Sequence, residues 1–151
     1  MFSPALPIAL GAAGLIPFVG AALGSVLLPD FLKPLAFYAA LAYGVAILAF
    51  LGGVHWGIAL GKGGSWRFVW SVIPSLIGFF AVLAPRPVAL GTLCAGFVLA
   101  GIVDVLVFRR DGPVWYLRLR IALTVIVAAA LAFTASEATV VRVDPFGTIV
   151  R

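Results

Sequence analysis

The side chains able to do chemistry in this chain are few. They are one histidine, His55, within FLGGVHWGIAL (50–60), one aspartate inside an apolar run, Asp104, and two arginines within WYLRLRIALT (115–124), Arg118 and Arg120. A carboxylate in such surroundings needs a cation, because an unpaired Asp at the centre of a membrane helix costs about 2.5–3.5 kcal/mol on insertion scales and less near an interface. Guanidinium stays charged and holds carboxylate with two donors, so Arg120 or Arg118 is the preferred counter-ion. His55 then completes a polar cluster, with Ser71 and Ser75 as further donors. Nucleophilic and metal chemistry are poorly served. GxSxG, HExxH, P-loop and CxxC patterns are absent. The single histidine and the single cysteine, Cys94, leave no second ligand for a metal site and no partner for an internal disulfide. A single axial histidine for a haem or chlorophyll-type ring is the one cofactor reading that His55 leaves open. The expectation is no catalytic residue, no metal and no cofactor, in a protein that is not an enzyme, since a lone histidine in an apolar helix is usually a structural hydrogen-bonder.

The elements that must position these residues follow from composition. Hydrophobic residues make up 64% of the 151, charged ones 10%, and the mean hydropathy is +1.25. Soluble domains carry roughly 25% charged residues, so this chain has too little polar surface to face water. Its charges cluster at 30–33, 62–67, 86, 104–111, 118–120 and 137–151. The stretches between are long enough, or nearly so, for the ~20-residue crossing of a bilayer core. The expected fold is an all-α, polytopic membrane protein, a compact bundle of five transmembrane helices forming one domain over 1–135. The spans fall at about 5–28, 35–60, 68–84, 88–108 and 113–135, separated by PDFLKP, GKGGSWR, Pro85-Arg86-Pro87 and RRDGP. The remaining 136–151 reads as a tail, extended or partly ordered, because apolar and polar residues alternate over Thr139–Val143. The N-terminus lacks a basic leader region and runs straight into a full span, so neither a cleaved signal nor a transit peptide is expected.

Depth brings the polar residues to one level. His55 lies about five residues before the end of the second span, roughly 7–8 Å in, and Asp104 about four residues before the end of the fourth, roughly 6 Å in. Both spans end on the same side, and Arg118 and Arg120 enter there from the fifth. Lys and Arg number six on that side (Lys62, Arg67, Arg109, Arg110, Arg118, Arg120) against four on the other (Lys33, Arg86, Arg142, Arg151). Positive loops stay in the cytoplasm, so the N-terminus is expected inside and the C-terminus outside. Trp56, Trp66, Trp70 and Trp115, with Tyr116, then fall at the cytoplasmic interface, where amphipathic rings settle. The charge excess of +5 reads as topology, and no basic run calls for nucleic acid.

Helices in lipid associate through close approach of small residues. Gly20 and Gly24 supply such a face in the first span, Gly53, Gly57 and Gly61 a ridge in the second, and Pro74 and Gly78 with Ser71 and Ser75 a face in the third. His55 sits about 160–200° around the helix from Gly53 and Gly57. Were both faces to contact protein, the second span would be the central helix.

GAAGLIPFVGAAL (11–23), YGVAILAFLGGVHWGIAL (43–60), SVIPSLIGF (71–79), GFVLAGIVD (96–104) and WYLRLRIALT (115–124) resemble the domain-of-unknown-function 3429 family, which includes relatives of a mitochondrial transmembrane protein. The resemblance covers most of the chain, excluding the tail after about residue 136. It implies a small multi-helix protein of bacterial cytoplasmic or mitochondrial inner membranes with no activity to carry over, and draws attention to Gly52, Gly53, Trp56, Gly57, Pro74, Asp104, Trp115, Tyr116, Arg120 and Thr124. In that family Arg can stand at the place of His55, which implies a cation or donor role. With no transit peptide, the bacterial cytoplasmic membrane is the expected location. The expected function is an accessory or assembly subunit of an energy-transducing, respiratory or photosynthetic, membrane complex, with membrane lipid and other membrane subunits or further copies of itself as partners. The competing expectation is an oligomeric transporter or channel with its path at the Asp104 cluster.

Overall fold

The structure, a computed structural model, describes residues 3–109, 112–140, 142–143 and 149–150. Arg110 and Arg151, counted above for orientation, and much of the tail lie outside the described residues. The described residues form, in order, α1 (Ala5–Ala13), α2 (Ile16–Leu27), α3 (Lys33–Lys62), α4 (Ser65–Leu83), α5 (Arg86–Phe108) and α6 (Val114–Val140). Arg142–Val143 and Ile149–Val150 form a short antiparallel pair. Taking α1 and α2 as one crossing, five helical segments among the described residues are long and apolar enough to span a membrane. The protein is a multi-pass, all-α membrane bundle.

Two boundaries differ from the sequence expectation. The first span is broken at Gly14-Leu15, because Pro17 stands in the first turn of α2. Its missing N–H and its ring disturb the preceding turn, and a tighter Leu15 N–H to Ala12 O bond of 3.0 Å takes over there. The last helix runs on to Val140, so Thr139 and Val140 are helical and only Arg142–Val143 is extended. No Pro or Gly interrupts residues 136–140, and adding residues to an existing helix is far easier than nucleating one.

The α3–α4 turn is made by Gly63 and Gly64, whose φ values of 76° and 103° suit glycine alone. It returns the chain at the same face where α5 ends and α6 begins. At the opposite face lie the end of α2, the starts of α3 and α5 and the end of α6.

Helix α3 is the hub and packs on α2, α4, α5 and α6. Its buried face is Phe37, Leu41, Gly44, Leu48, Gly52, His55 and Ala59, a three- and four-residue spacing that keeps one stripe inward. Phe18, Leu90, Leu93, Phe97 and Leu131 fill the space around it. The expected ridge is not this face. Gly53, Gly57 and Gly61 meet nothing within 4 Å, as does Gly20, whereas a Cβ built on Gly52 would overlap the Ser71 carbonyl oxygen of α4. Gly24 packs beside Ala36, and Gly78 beside Val45. The reason is a ranking of demands. A stripe of small residues permits contact, but a histidine requires burial among polar partners, and with His55 turned in, the residues about 180° away must face out.

Candidate functional site

Three helices each deliver one side chain to a single buried point. His55 comes from α3, Asp104 from α5 and Arg120 from α6. His55 Nε2 lies 2.7 Å from Asp104 Oδ1, and Arg120 Nε donates to Asp104 Oδ2 at 2.5 Å. The side chains are 1%, 6% and 7% exposed respectively. Each carboxylate oxygen therefore has its own donor, from a different helix.

Local structure explains the convergence. His55 and Asp104 both lie on the inward stripes of their helices. Gly101, one turn before Asp104, lies so close to Thr124 that a Cβ there would stand 2.6 Å from Thr124 Oγ1. That close approach of α5 and α6 sets Arg120, one turn before Thr124, beside the carboxylate.

The donor directions fix the chemistry. An ionised carboxylate only accepts, so His55 Nε2 carries the hydrogen, and a neutral ring then bears its lone pair on Nδ1. In that state the group is a neutral Asp–Arg pair with one oriented imidazole. His55 Nδ1, Arg120 Nη2 and Thr124 Oγ1 are buried without a hydrogen-bond partner among the described residues, as is Arg67 Nη1 nearby in sequence on α4. An imidazole held by a carboxylate is the geometry of a positioned base, and among the described residues no hydroxyl or thiol hydrogen-bonds to its Nδ1. Among the described residues no group of three or more His, Cys, Asp or Glu side chains could hold a metal ion.

Aromatic rings surround His55. Trp66, Trp70 and Phe108 have ring centroids 6.1, 6.3 and 6.3 Å from it. Tyr116 stacks edgewise on Phe108 at 5.2 Å and lies 6.0 Å from Trp115. Arg67 lies over Trp66 at 4.9 Å.

Other expected members stand apart. Arg118 is exposed, because two residues along a helix is a 200° turn away from Arg120. Ser75 is exposed, and the buried Ser71 donates to the Phe68 carbonyl at 2.7 Å, so neither serves the cluster. Of the expected interface aromatics, Trp56 and Trp66 are about half exposed, while Trp70, Trp115 and Tyr116 are half-buried. The sequence reading had no place for Phe108 or for the buried Nη1 of the half-buried Arg67. The signal for Phe108 was its position one turn after Asp104.

A family described as protein of unknown function (DUF3429) matches residues 3–136. The chain belongs to this family. It is similar to transmembrane protein 69 of Xenopus tropicalis, 35% identical over 131 residues that cover 81% of this chain and 50% of the relative. The mouse protein of the same name is 35% identical over 130 residues, covering 82% of this chain and 51% of the relative. The chain thus spans about half the length of these curated relatives. No solved structure matches it.

Proposed function

We propose that this family member is a small, non-enzymatic accessory or assembly subunit of an energy-transducing membrane complex, inserted in a bacterial cytoplasmic membrane with its N-terminus inside. The observation that carries the reading is the closed triad. Both oxygens of the buried Asp104 carboxylate are engaged by side chains of two other helices, which suits a clasp joining α3, α5 and α6 more than a passage for solute. The open Gly53-Gly57-Gly61 face of α3 gives further support, since it leaves room for a neighbouring subunit's helix to approach closely. The energy-transducing setting rests on the family resemblance to inner-membrane proteins. Purification of the full chain in mild detergent, followed by quantitative mass spectrometry, is expected to recover respiratory or photosynthetic subunits in stoichiometric amounts. A clean homo-oligomer without such partners would overturn the reading.

One observation favours a second reading, an oligomeric transporter or channel. His55 Nδ1 and Arg120 Nη2 are buried polar atoms without partners among the described residues, and intramembrane ionisable groups often mark ion paths. That reading requires flux in proteoliposomes that disappears in Asp104→Asn.

A further inference from the structure

At the end of the bundle away from the triad, α2, α3, α5 and α6 line a small, partly open pocket. It opens where α2 has ended, α3 and α5 begin, and the apolar stretch of α6 finishes at Ala138, which is the level of lipid headgroups. Its charged lining is Asp30, Lys33, Arg86 and Glu137, with formal charges that cancel. Asp30 and Lys33 are already paired at 2.7 Å. Among the described residues, Arg86 and Glu137 form no ion pair. Arg86 gives one hydrogen bond to Tyr38 Oη at 3.3 Å and rests over the rings of Phe37 and Tyr38, leaving most of its five N–H donors unspent. The pocket therefore presents one receptor for an anion and one for a cation in its lining.

The uncharged lining says which cation. Thr134 and Ser25 are 2% and 5% exposed, and their hydroxyl hydrogens go to the carbonyls of Ala130 and Ala22 at 2.8 and 2.7 Å. Their oxygens are left only as acceptors, and with the Glu137 carboxylate they form a set that wants N–H donors. A primary ammonium carries three; a quaternary ammonium carries none and favours an open aromatic cage. The aromatic ring lining this pocket, Phe37, is buried beneath Arg86. A purely anionic headgroup would pair Arg86 but leave Glu137 facing negative charge.

We propose that this pocket binds a phosphoethanolamine group, with the phosphate on Arg86 and the ammonium on Glu137 and the Thr134 oxygen. The group has two sources, the headgroup of a membrane phosphatidylethanolamine and free O-phosphoethanolamine. The position at the headgroup level favours the lipid.

The test is native mass spectrometry of the delipidated full chain in detergent, titrated with dihexanoyl phosphatidylethanolamine, phosphatidylcholine and phosphatidylglycerol, and with O-phosphoethanolamine. Phosphatidylethanolamine is expected to bind roughly tenfold more tightly than phosphatidylcholine, the scale of one charge-assisted hydrogen bond. Glu137→Gln should abolish that preference, and Glu137→Asp should restore part of it. Arg86→Gln should weaken all three phospholipids together. Circular dichroism checks that each variant keeps its helix content; Glu137 lies in the last turns of α6, so its variants carry the test even where Arg86→Gln fails to fold. Retention of the lipid without O-phosphoethanolamine assigns the membrane source, and equal binding assigns the free compound. Equal affinity for phosphatidylethanolamine and phosphatidylcholine in the unaltered chain, or a preference that survives Glu137→Gln, would overturn the proposal.

Discussion

Asp104 accepts from a different helix on each of its oxygens, and the consequence of losing it is asymmetric. Asp104→Asn leaves the guanidinium of Arg120, 6% exposed, without an anion. Breaking a buried pair in this way costs about 3–5 kcal/mol, whereas replacing both partners with apolar residues of similar size is often neutral or better. Unfolding in mixed detergent should therefore show a large loss for Asp104→Asn and a much smaller one for the double variant Asp104→Leu/Arg120→Leu. A single variant as stable as the original would mean that the triad does not clasp the three helices. His55→Phe should cost less, about 1–3 kcal/mol, because it leaves one carboxylate oxygen without a donor but strands no charge. Arg118→Gln, at an exposed position, should change stability by no more than about 0.5 kcal/mol.

Among the elements, α3 decides the arrangement, and neighbouring glycines on it have opposite meanings. At Gly52 the backbone of α4 comes so near that an added methyl group meets the Ser71 carbonyl. Gly52→Ala must push the two helices apart, with a loss of about 1–3 kcal/mol typical of overpacking. Gly53→Ala adds its methyl into open space, and alanine is the better helix former by about 1 kcal/mol, so that variant should equal or exceed the parent in thermal stability. Equal behaviour of the two variants would mean that α3 turns a different face toward α4. If the outward ridge meets a partner subunit, Gly57→Leu should leave the isolated chain stable yet lower the yield of the co-purified complex.

For the whole molecule, the charge distribution and the bundle together make orientation testable. All the loops at the triad end share one side of the membrane, so two labelling sites suffice. In a Cys94→Ala background, Phe31→Cys lies at the pocket end and Ser65→Cys at the triad end, both at exposed positions. With the N-terminus in the cytoplasm, a membrane-impermeant maleimide added to intact cells should modify Phe31→Cys and spare Ser65→Cys until the membrane is opened. The reverse pattern would invert the orientation and place the zwitterionic pocket in the inner leaflet. The bundle also separates two polar regions by its full thickness. One is buried among aromatic rings; the other opens at the headgroup level.

Composition and charge spacing alone determined that this chain is a membrane bundle of five crossings, because a chain with this little charge has few ways to be stable in water and its charges can sit only where the crossings end. Depth along each helix placed His55, Asp104 and Arg120 at a common level, since rise per residue is fixed. What remained for the tertiary structure was rotation about each helix axis. Which of two arginines two residues apart reaches the carboxylate, and whether Gly52 or Gly53 meets a neighbour, depends on turns of 100° per residue that many weak contacts settle together. The kink at Pro17 and the helical run to Val140 belong to the same class, being choices between local options that packing or continuity resolves. The pocket at the far end was invisible for a related reason. Its residues come from four segments spread between Ser25 and Ala138, and only the folded bundle brings them to one place.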